Sequence, residues 1–179
     1  MTRSSNTHPL RVDFVELPSP GRLGMTFAPG KVQPHAASGS WERDLDQDLT
    51  RLRDIYNTKL LVSVIELHEL EQLHIPQLPA RLQRYGIDWL HLDVVDGSTP
   101  KDDAPWLAAM RQIKARLGAG DNVVVHCKGG LGRTGTLVAS VLTTYGLSPV
   151  EAIAKTRVAR PNTLETKEQV AYVARVAGR

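Results

Sequence analysis

What this sequence has least of is cysteine: one residue, Cys127, in 179. A lone thiol excludes an intramolecular disulfide and a multi-cysteine zinc site. The six histidines are scattered, with no HExxH pair and no tight cluster with Asp or Glu, so no metal and no cofactor is expected. No apolar run reaches the roughly 18 residues that suggest a membrane span, so none is expected. The N-terminal residues lack a hydrophobic signal core, and the expected location is cytoplasmic. Charge of one sign is scarce too. Lys and Arg total 22 against 19 Asp and Glu, leaving +3. That excess is too small to point to nucleic acid, although it leaves room for a local basic pocket that takes an anion. Internal repeats and low-complexity blocks are absent from the sequence.

What is present is a globular balance, 41% apolar and 23% charged, in a length suited to one domain. The first forty residues are rich in Pro, Gly, Ser and Thr. Residues 1–22 read as an N-terminal arm laid on the edge of a domain spanning 23–179. Short strands are expected at 11–17 and 23–27, with loop composition from 28 to 40. From Trp41 onward helix and strand patterns alternate. Leu45, Leu49, Leu52 and Tyr56 recur at helical spacing, while 59–65, 89–95 and 122–126 are short apolar runs that read as strands. Residues 68–84 read as mostly helical, broken by Pro76 and Pro79. Pro100 and Pro105 precede an amphipathic helix with Trp106, Met110, Ile113 and Leu117 on one face. Further helices are expected over about 133–145, 149–160 and 165–177. The alternation predicts an α/β fold: a single domain with a central, mostly parallel sheet and helices on both faces. Ligands of such sheets bind beyond the carboxyl ends of the strands, where the turn after 122–126 lies.

That turn reads His126-Cys127-Lys128-Gly129-Gly130-Leu131-Gly132-Arg133-Thr134. A nucleophile candidate ends a strand and a helix opens six residues later. The glycines between them let the backbone curl until several N–H groups face one point. Such a nest at a helix N-terminus binds anions, and Arg133 adds a planar fork that can take two phosphate oxygens. The same positive field favours thiolate over thiol at Cys127. Rival glycine-loop readings fit poorly. Walker A needs a Lys-Ser/Thr pair after its glycines, and none follows here. Gly130, Gly132 and Gly135 match G-x-G-x-x-G, but an arginine sits inside it, a cysteine opens the turn, and it comes late in the chain. A glycine-rich turn over an inert buried cysteine is the remaining structural alternative.

His126-Cys127-(five residues)-Arg133-Thr134 resembles the signature of cysteine-dependent protein phosphatases, in its dual-specificity form. Among these it is most similar to the cyclin-dependent-kinase-associated group, with the cell-division-cycle phosphatases next. Ile75-Pro76-Gln77-Leu78, Arg84-Tyr85-Gly86-Ile87, the stretch from Asp93 to Pro100 and Leu164 to Gln169 resemble the same group in order and spacing. The resemblance implies a protein tyrosine phosphatase-like fold. It also implies phosphate held by residues Lys128, Gly129, Gly130, Leu131, Gly132 and Arg133, and a phosphocysteine formed on Cys127.

Expelling an alkoxide or phenoxide also needs a proton donor that reaches the leaving oxygen from outside the nest. Asp96 heads Asp96-Gly97-Ser98-Thr99-Pro100, 31 residues before the cysteine, and the resemblance makes it the general acid. The alternatives are an Asp-Gly turn for Asp96 and Asp93 as the acid; Asp102 and Asp103 read as caps of the next helix. Thr134 is expected to hydrogen-bond the Cys127 sulfur. His126 is expected to fix the loop rather than act as a base. Gln169 matches a glutamine that orients the hydrolytic water in the family; an exposed helix glutamine is the bland reading. Substrates are expected to be phosphotyrosine and phosphoserine/threonine proteins, with the chain a monomer. Phosphoinositide or other small-ester hydrolysis, non-catalytic phosphopeptide binding, and sulfur transfer or arsenate reduction are the other readings. Leu131 stands where lipid phosphatases carry a second lysine, which weighs against a polyanionic inositol, and the missing second cysteine weighs against thiol relays.

Overall fold

A computed structural model describes residues 2–179 of the chain; Met1, the first residue of the arm, lies outside the described residues. In chain order the elements are β1 (Asp13–Val15), β2 (Leu23–Thr26), β3 (Val32–Ala36), β4 (Gly39–Glu42), α1 (Leu45–Asp54), β5 (Thr58–Val64) and α2 (Leu67–Gln72). There follow α3 (Leu78–Arg84), β6 (Asp88–Leu92), α4 (Asp103–Gly118), β7 (Asn122–His126), α5 (Gly132–Thr143), α6 (Pro149–Ala159) and α7 (Lys167–Val176).

Among the described residues the main sheet has five strands in the order β1-β2-β7-β5-β6. β2, β7, β5 and β6 run parallel, and β1 is antiparallel at one edge. The α/β expectation of a mostly parallel sheet with helices on both faces holds. Period-two alternation sorts the side chains. Leu60, Val62, Val123 and Val125 face the core shared with α4, α5, α6 and α7. Leu61 and Val124 face the opposite core, with Leu45, Leu49, Leu52, Leu78 and Leu82 from α1 and α3. β7 and β5 are thus apolar on both faces, as central parallel strands are. α5 is buried along its whole length, from Gly132 to Thr143.

Residues 11–17 contribute only three strand residues, and Leu10 and Val12 are buried in the second core. Residues 28–40, read as loop, instead hold most of a hairpin: β3 pairs antiparallel with β4. Its turn passes through Gly39 at φ +108°, a conformation that glycine adopts without strain. Pro34 and polar residues made this hairpin illegible by composition. The stretch 68–84 divides into α2 and α3, with Pro76 between them and Pro79 in the first turn of α3. Asp102 caps α4 by accepting from the Ala104 N–H at 2.9 Å, so Pro105 lies inside the first turn rather than before it. Asp103 does different work: it accepts from Tyr172 Oη at 2.9 Å and pairs with Arg175 at 2.7 Å, tying α7 to α4.

Candidate active site

Cys127 follows the last residue of β7, at the carboxyl end of the parallel sheet, and is 3% exposed. The chain then curls through Gly130 at φ +72°, and the Gly130 N–H donates to Cys127 Sγ at 3.3 Å. A side chain on Gly130 would collide with the Thr26 carbonyl of β2, so glycine is required for space as well as for φ. Leu131 takes the N-cap position of α5 with no side-chain cap, which leaves the first-turn amides free for an anion. Lys128 is half-buried at the rim.

The outer face of the loop is held as firmly. The Lys128 carbonyl accepts from the Ala28 N–H at 3.3 Å and from Lys31 Nζ at 3.4 Å. The Gly130 carbonyl accepts from Arg160 Nε at 2.6 Å, and the Gly129 carbonyl from Arg160 Nη2 at 3.3 Å. Arg160 is itself paired with Asp13 of β1 at 2.7 Å. The Gly129 carbonyl fastened outward belongs to the same peptide as the Gly130 N–H, which turns toward the sulfur.

His126 fixes the loop from below. Its ring is fully buried; Nδ1 lies 3.0 Å from the Cys127 carbonyl and Nε2 2.6 Å from Ser63 Oγ. A carbonyl can only accept, so Nδ1 carries the hydrogen and Nε2 accepts from the Ser63 hydroxyl. Trp89 Nε1 in turn donates to Ser63 Oγ at 2.8 Å. Burial pushes the His126 ring down to about 4, so it stays neutral.

Arg133 is buried beside Cys127 with a partner that the sequence did not reveal. Nη1 donates to Glu69 Oε2 at 2.5 Å and to the Val94 carbonyl at 2.8 Å, and Nη2 donates to Glu69 Oε1 at 3.0 Å. Burial alone would raise the Glu69 carboxyl, but the hydrogen bonds and charge of Arg133 prevail and hold it below the usual carboxylate range. Glu69 thus neutralises and aims the guanidinium. Nε is buried without a hydrogen-bond partner among the described residues. Nη2 also faces Asp96 Oδ1 at 3.1 Å. The edge formed by Nε and Nη2 is the one left for an oxyanion, and Asp96 rests against it.

Asp96, not Asp93, is the carboxylate that reaches Arg133. Its side chain is 61% exposed, on a loop held by Thr166 Oγ1 donating to the Gly97 carbonyl at 3.2 Å and Gln169 Nε2 donating to the Ser98 carbonyl at 3.4 Å. A cavity of about 460 Å³, lined in part by Glu66, Asp93, Ser98, Lys101 and Glu168, opens beside that loop. Gln169 is fully buried rather than an exposed helix residue. Its Oε1 accepts from the N–H groups of Glu165 at 2.8 Å and Thr166 at 3.2 Å, capping α7. The pattern Thr166-Lys167-Glu168-Gln169 carries that capping signal in sequence. The Thr134 hydroxyl is buried with no partner among the described residues, so the expected bond to the sulfur is not formed here. Among the described residues no cluster of three or more His, Cys, Asp or Glu could hold a metal ion, and no helix is long and apolar enough to cross a membrane.

Known proteins are similar to this chain in fold and in sequence. Kinase associated phosphatase, in a crystal structure with its catalytic-site cysteine replaced by serine, superposes with a TM-score of 0.85 at 24% identity, covering 96% of this chain and 98% of that one. That likeness establishes the fold. Tk-PTP in its active form gives a TM-score of 0.72 at 26% identity over 94% of this chain and 97% of that one. In sequence, the tyrosine-protein phosphatase cdc-14 of Caenorhabditis elegans is 37% identical over 91 residues, covering 50% of this chain and 12% of the relative. Cyclin-dependent kinase inhibitor 3 of Rattus norvegicus is 34% identical over 109 residues, covering 59% of this chain and 50% of the relative. The chain therefore matches half or less of the length of these relatives. The family profile described as "Tc-R-P: Polymorphic toxin system, DSP-PTPase phosphatase" matches residues 41–147, from β4 through the whole of the phosphate loop and α5. With more than half of its length inside that profile, the chain belongs to this DSP-PTPase phosphatase family.

Proposed function

We propose that the protein hydrolyses phosphate monoesters on proteins through a phosphocysteine. The observation that carries this reading is the single buried cluster in which Cys127 Sγ accepts from a loop amide while Arg133, aimed by Glu69, presents its Nε edge unpartnered. A phosphate dianion on the amides of residues 128–133 and on Nε and Nη2 of Arg133 would displace Asp96 from Nη2. Cys127 attacks phosphorus in line with the ester oxygen, and the P–O bond breaks as P–S forms. Asp96, released from the guanidinium and having taken up a proton from solvent, gives that proton to the leaving oxygen. In the second step it takes the proton of an attacking water, and inorganic phosphate and the thiolate are regenerated. Charge on the equatorial oxygens is met by fixed amides and one fixed guanidinium, which need no reorganisation. Thr134 is placed one residue into α5 from Arg133, and its free hydroxyl is the candidate to accompany the sulfur as it leaves.

Phosphotyrosine and phosphoserine/threonine are both read as substrates, because the family carries dual-specificity members. The chain is read as a monomer, and an unpaired thiol fits a reducing, cytoplasmic setting. Residues 1–22 are read as an arm that supports the catalytic domain over 23–179, through Leu10 and Val12 in the second core, the β1–β2 pairing and the Asp13–Arg160 pair. Hydrolysis of an aryl phosphate and of matched phosphopeptides on Ser, Thr and Tyr tests the reading, with Cys127→Ser as control. Turnover that disappears in Cys127→Ser while inorganic phosphate still binds supports it. Binding of phosphopeptides without any turnover in the unaltered protein would overturn it in favour of a recognition module.

A further inference from the structure

The mechanism above leaves one buried cation without a task. Lys31, between β2 and β3, is 4% exposed. Its Nζ lies 4.3 Å from the Trp41 ring centroid and 5.1 Å from that of Phe27. The one hydrogen bond its side chain makes among the described residues goes to the Lys128 carbonyl, behind the phosphate loop. Its neighbour Arg43 is neutralised by Asp48, with both contacts at 2.8 Å, but among the described residues no carboxylate pairs with Lys31. The local chain is built to put it there. Gly30 sits at φ +71° with its Cα against Leu45, and its N–H donates to Asp48 Oδ2 at 2.8 Å. A buried ammonium without a carboxylate is costly unless another group compensates it.

We propose that Lys31 is an electrostatic positioning residue whose caged ammonium is the standing countercharge of the Cys127 thiolate. The proposal rests on the reading that Cys127 is the nucleophile. The charged groups around Lys31 are Cys127 and Lys128 on the loop, Arg43 with its partner Asp48, and Arg160 at the end of α6. Burial brings Lys31 down to about 8, the Cys127 charge opposes that fall, and Arg43, Lys128 and Arg160 add to it. Lys128 directly follows Cys127, so the ammonium held on its carbonyl stands one residue from the sulfur-bearing position, where an ammonium and a thiolate attract each other. Trp41 and Phe27 exclude water, so the attraction is screened less than at a surface. The contact with the Lys128 carbonyl also polarises the peptide whose N–H belongs to Gly129, inside the phosphate loop.

The test reads the thiolate directly, without turnover. Iodoacetamide alkylation of Cys127 is followed against pH in the unaltered protein, in Lys31→Met and in Lys31→Arg. In Lys31→Met the profile moves to higher pH and alkylation at pH 6 slows by about tenfold, while Lys31→Arg keeps most of the original rate. If Lys31→Met does not fold, the reciprocal effect decides. Side-chain NMR titration of Lys31 must shift to lower pH in Cys127→Ser than in the unaltered protein. Alkylation profiles that coincide in Lys31→Met and the unaltered protein, or a Lys31 titration indifferent to Cys127→Ser, overturn the proposal. Either result beside normal hydrolysis of an aryl phosphate leaves the catalytic reading standing, whereas a slow, ordinary thiol in a protein that hydrolyses nothing removes both.

Discussion

The proposed phosphate loop after β7 and the loop proposed to carry the acid, headed by Asp96, meet at Arg133 and are built on opposite principles. The first has Cys127, Gly130 and Arg133 buried and is fastened at several points: His126 below, Thr26 against Gly130, Lys31 and Arg160 on the outward carbonyls. The second carries its carboxylate 61% exposed and hangs on two long hydrogen bonds from α7 plus one contact to Arg133. Both turn at a glycine with nearly the same dihedral, φ +72° at Gly130 and +73° at Gly97. The difference fits the tasks proposed for them. The nucleophile and the oxyanion donors gain from being fixed before substrate arrives, whereas the proton donor must yield its place on Arg133 and follow the leaving group.

The sharpest way to break this contrast is to loosen the fixed side. Arg133→Lys replaces a fork held by Glu69 with a point charge and should lower kcat/KM by about 10³-fold, read with an aryl phosphate. Next is the pH dependence of the loop's anchor. His126 stays neutral in the fold down to about 4, while the unfolded chain takes up its proton near 6.5. Stability is therefore full above about 6.5 and falls by about 3 kcal/mol as the pH drops through that interval to about 4. Urea unfolding across this range checks it, and His126→Gln should flatten the slope. Glu69, held low by Arg133, adds a further loss that begins as the pH falls below its ordinary value of 4.5 and is complete once its carboxyl is protonated in the fold.

On the exposed side, Asp96→Asn should slow turnover by about 10²-fold, with the alkaline limb of the kcat/KM profile altered, whereas Asp93→Asn should change it by less than about twofold. A profile in which Asp93→Asn does the damage would move the acid. The smallest effect compares the two glycines. Alanine at Gly97 meets open space and bears only the dihedral penalty, about 1 kcal/mol; alanine at Gly130 bears the same penalty and also strikes the Thr26 backbone, for about 2 kcal/mol more. Equal melting temperatures for the two variants would show that the phosphate loop is not the tighter of the pair.

What could be read before folding was whatever lies close together in sequence. The run from His126 to Thr134 states strand, turn, nucleophile and guanidinium within nine residues, and the alternation of apolar runs states the sheet. The partners that aim those groups come from far along the chain. Glu69 is 64 residues from Arg133, Ser63 is 63 from His126, and Lys31 is 97 from Lys128. Nothing periodic marks such pairs, since each is set by how α2, β5 and the β2–β3 turn pack around β7. The hairpin at β3 and β4 was hidden for a different reason: Pro, Gly and Ser suggest loop, and pairing overrode that preference. Gln169 shows the reverse case: the Thr166-to-Gln169 capping pattern is legible in the sequence, and its buried side chain caps α7.

The account turns on a covalent bond between phosphorus and the Cys127 sulfur. Mixing the protein with an aryl phosphate, quenching in acid within a turnover and mapping the peptides by mass spectrometry tests it directly. The expected result is a phosphoryl adduct on Cys127, absent from Cys127→Ser. Steady hydrolysis with no adduct on Cys127 at any quench time, or undiminished hydrolysis by Cys127→Ser, would contradict it.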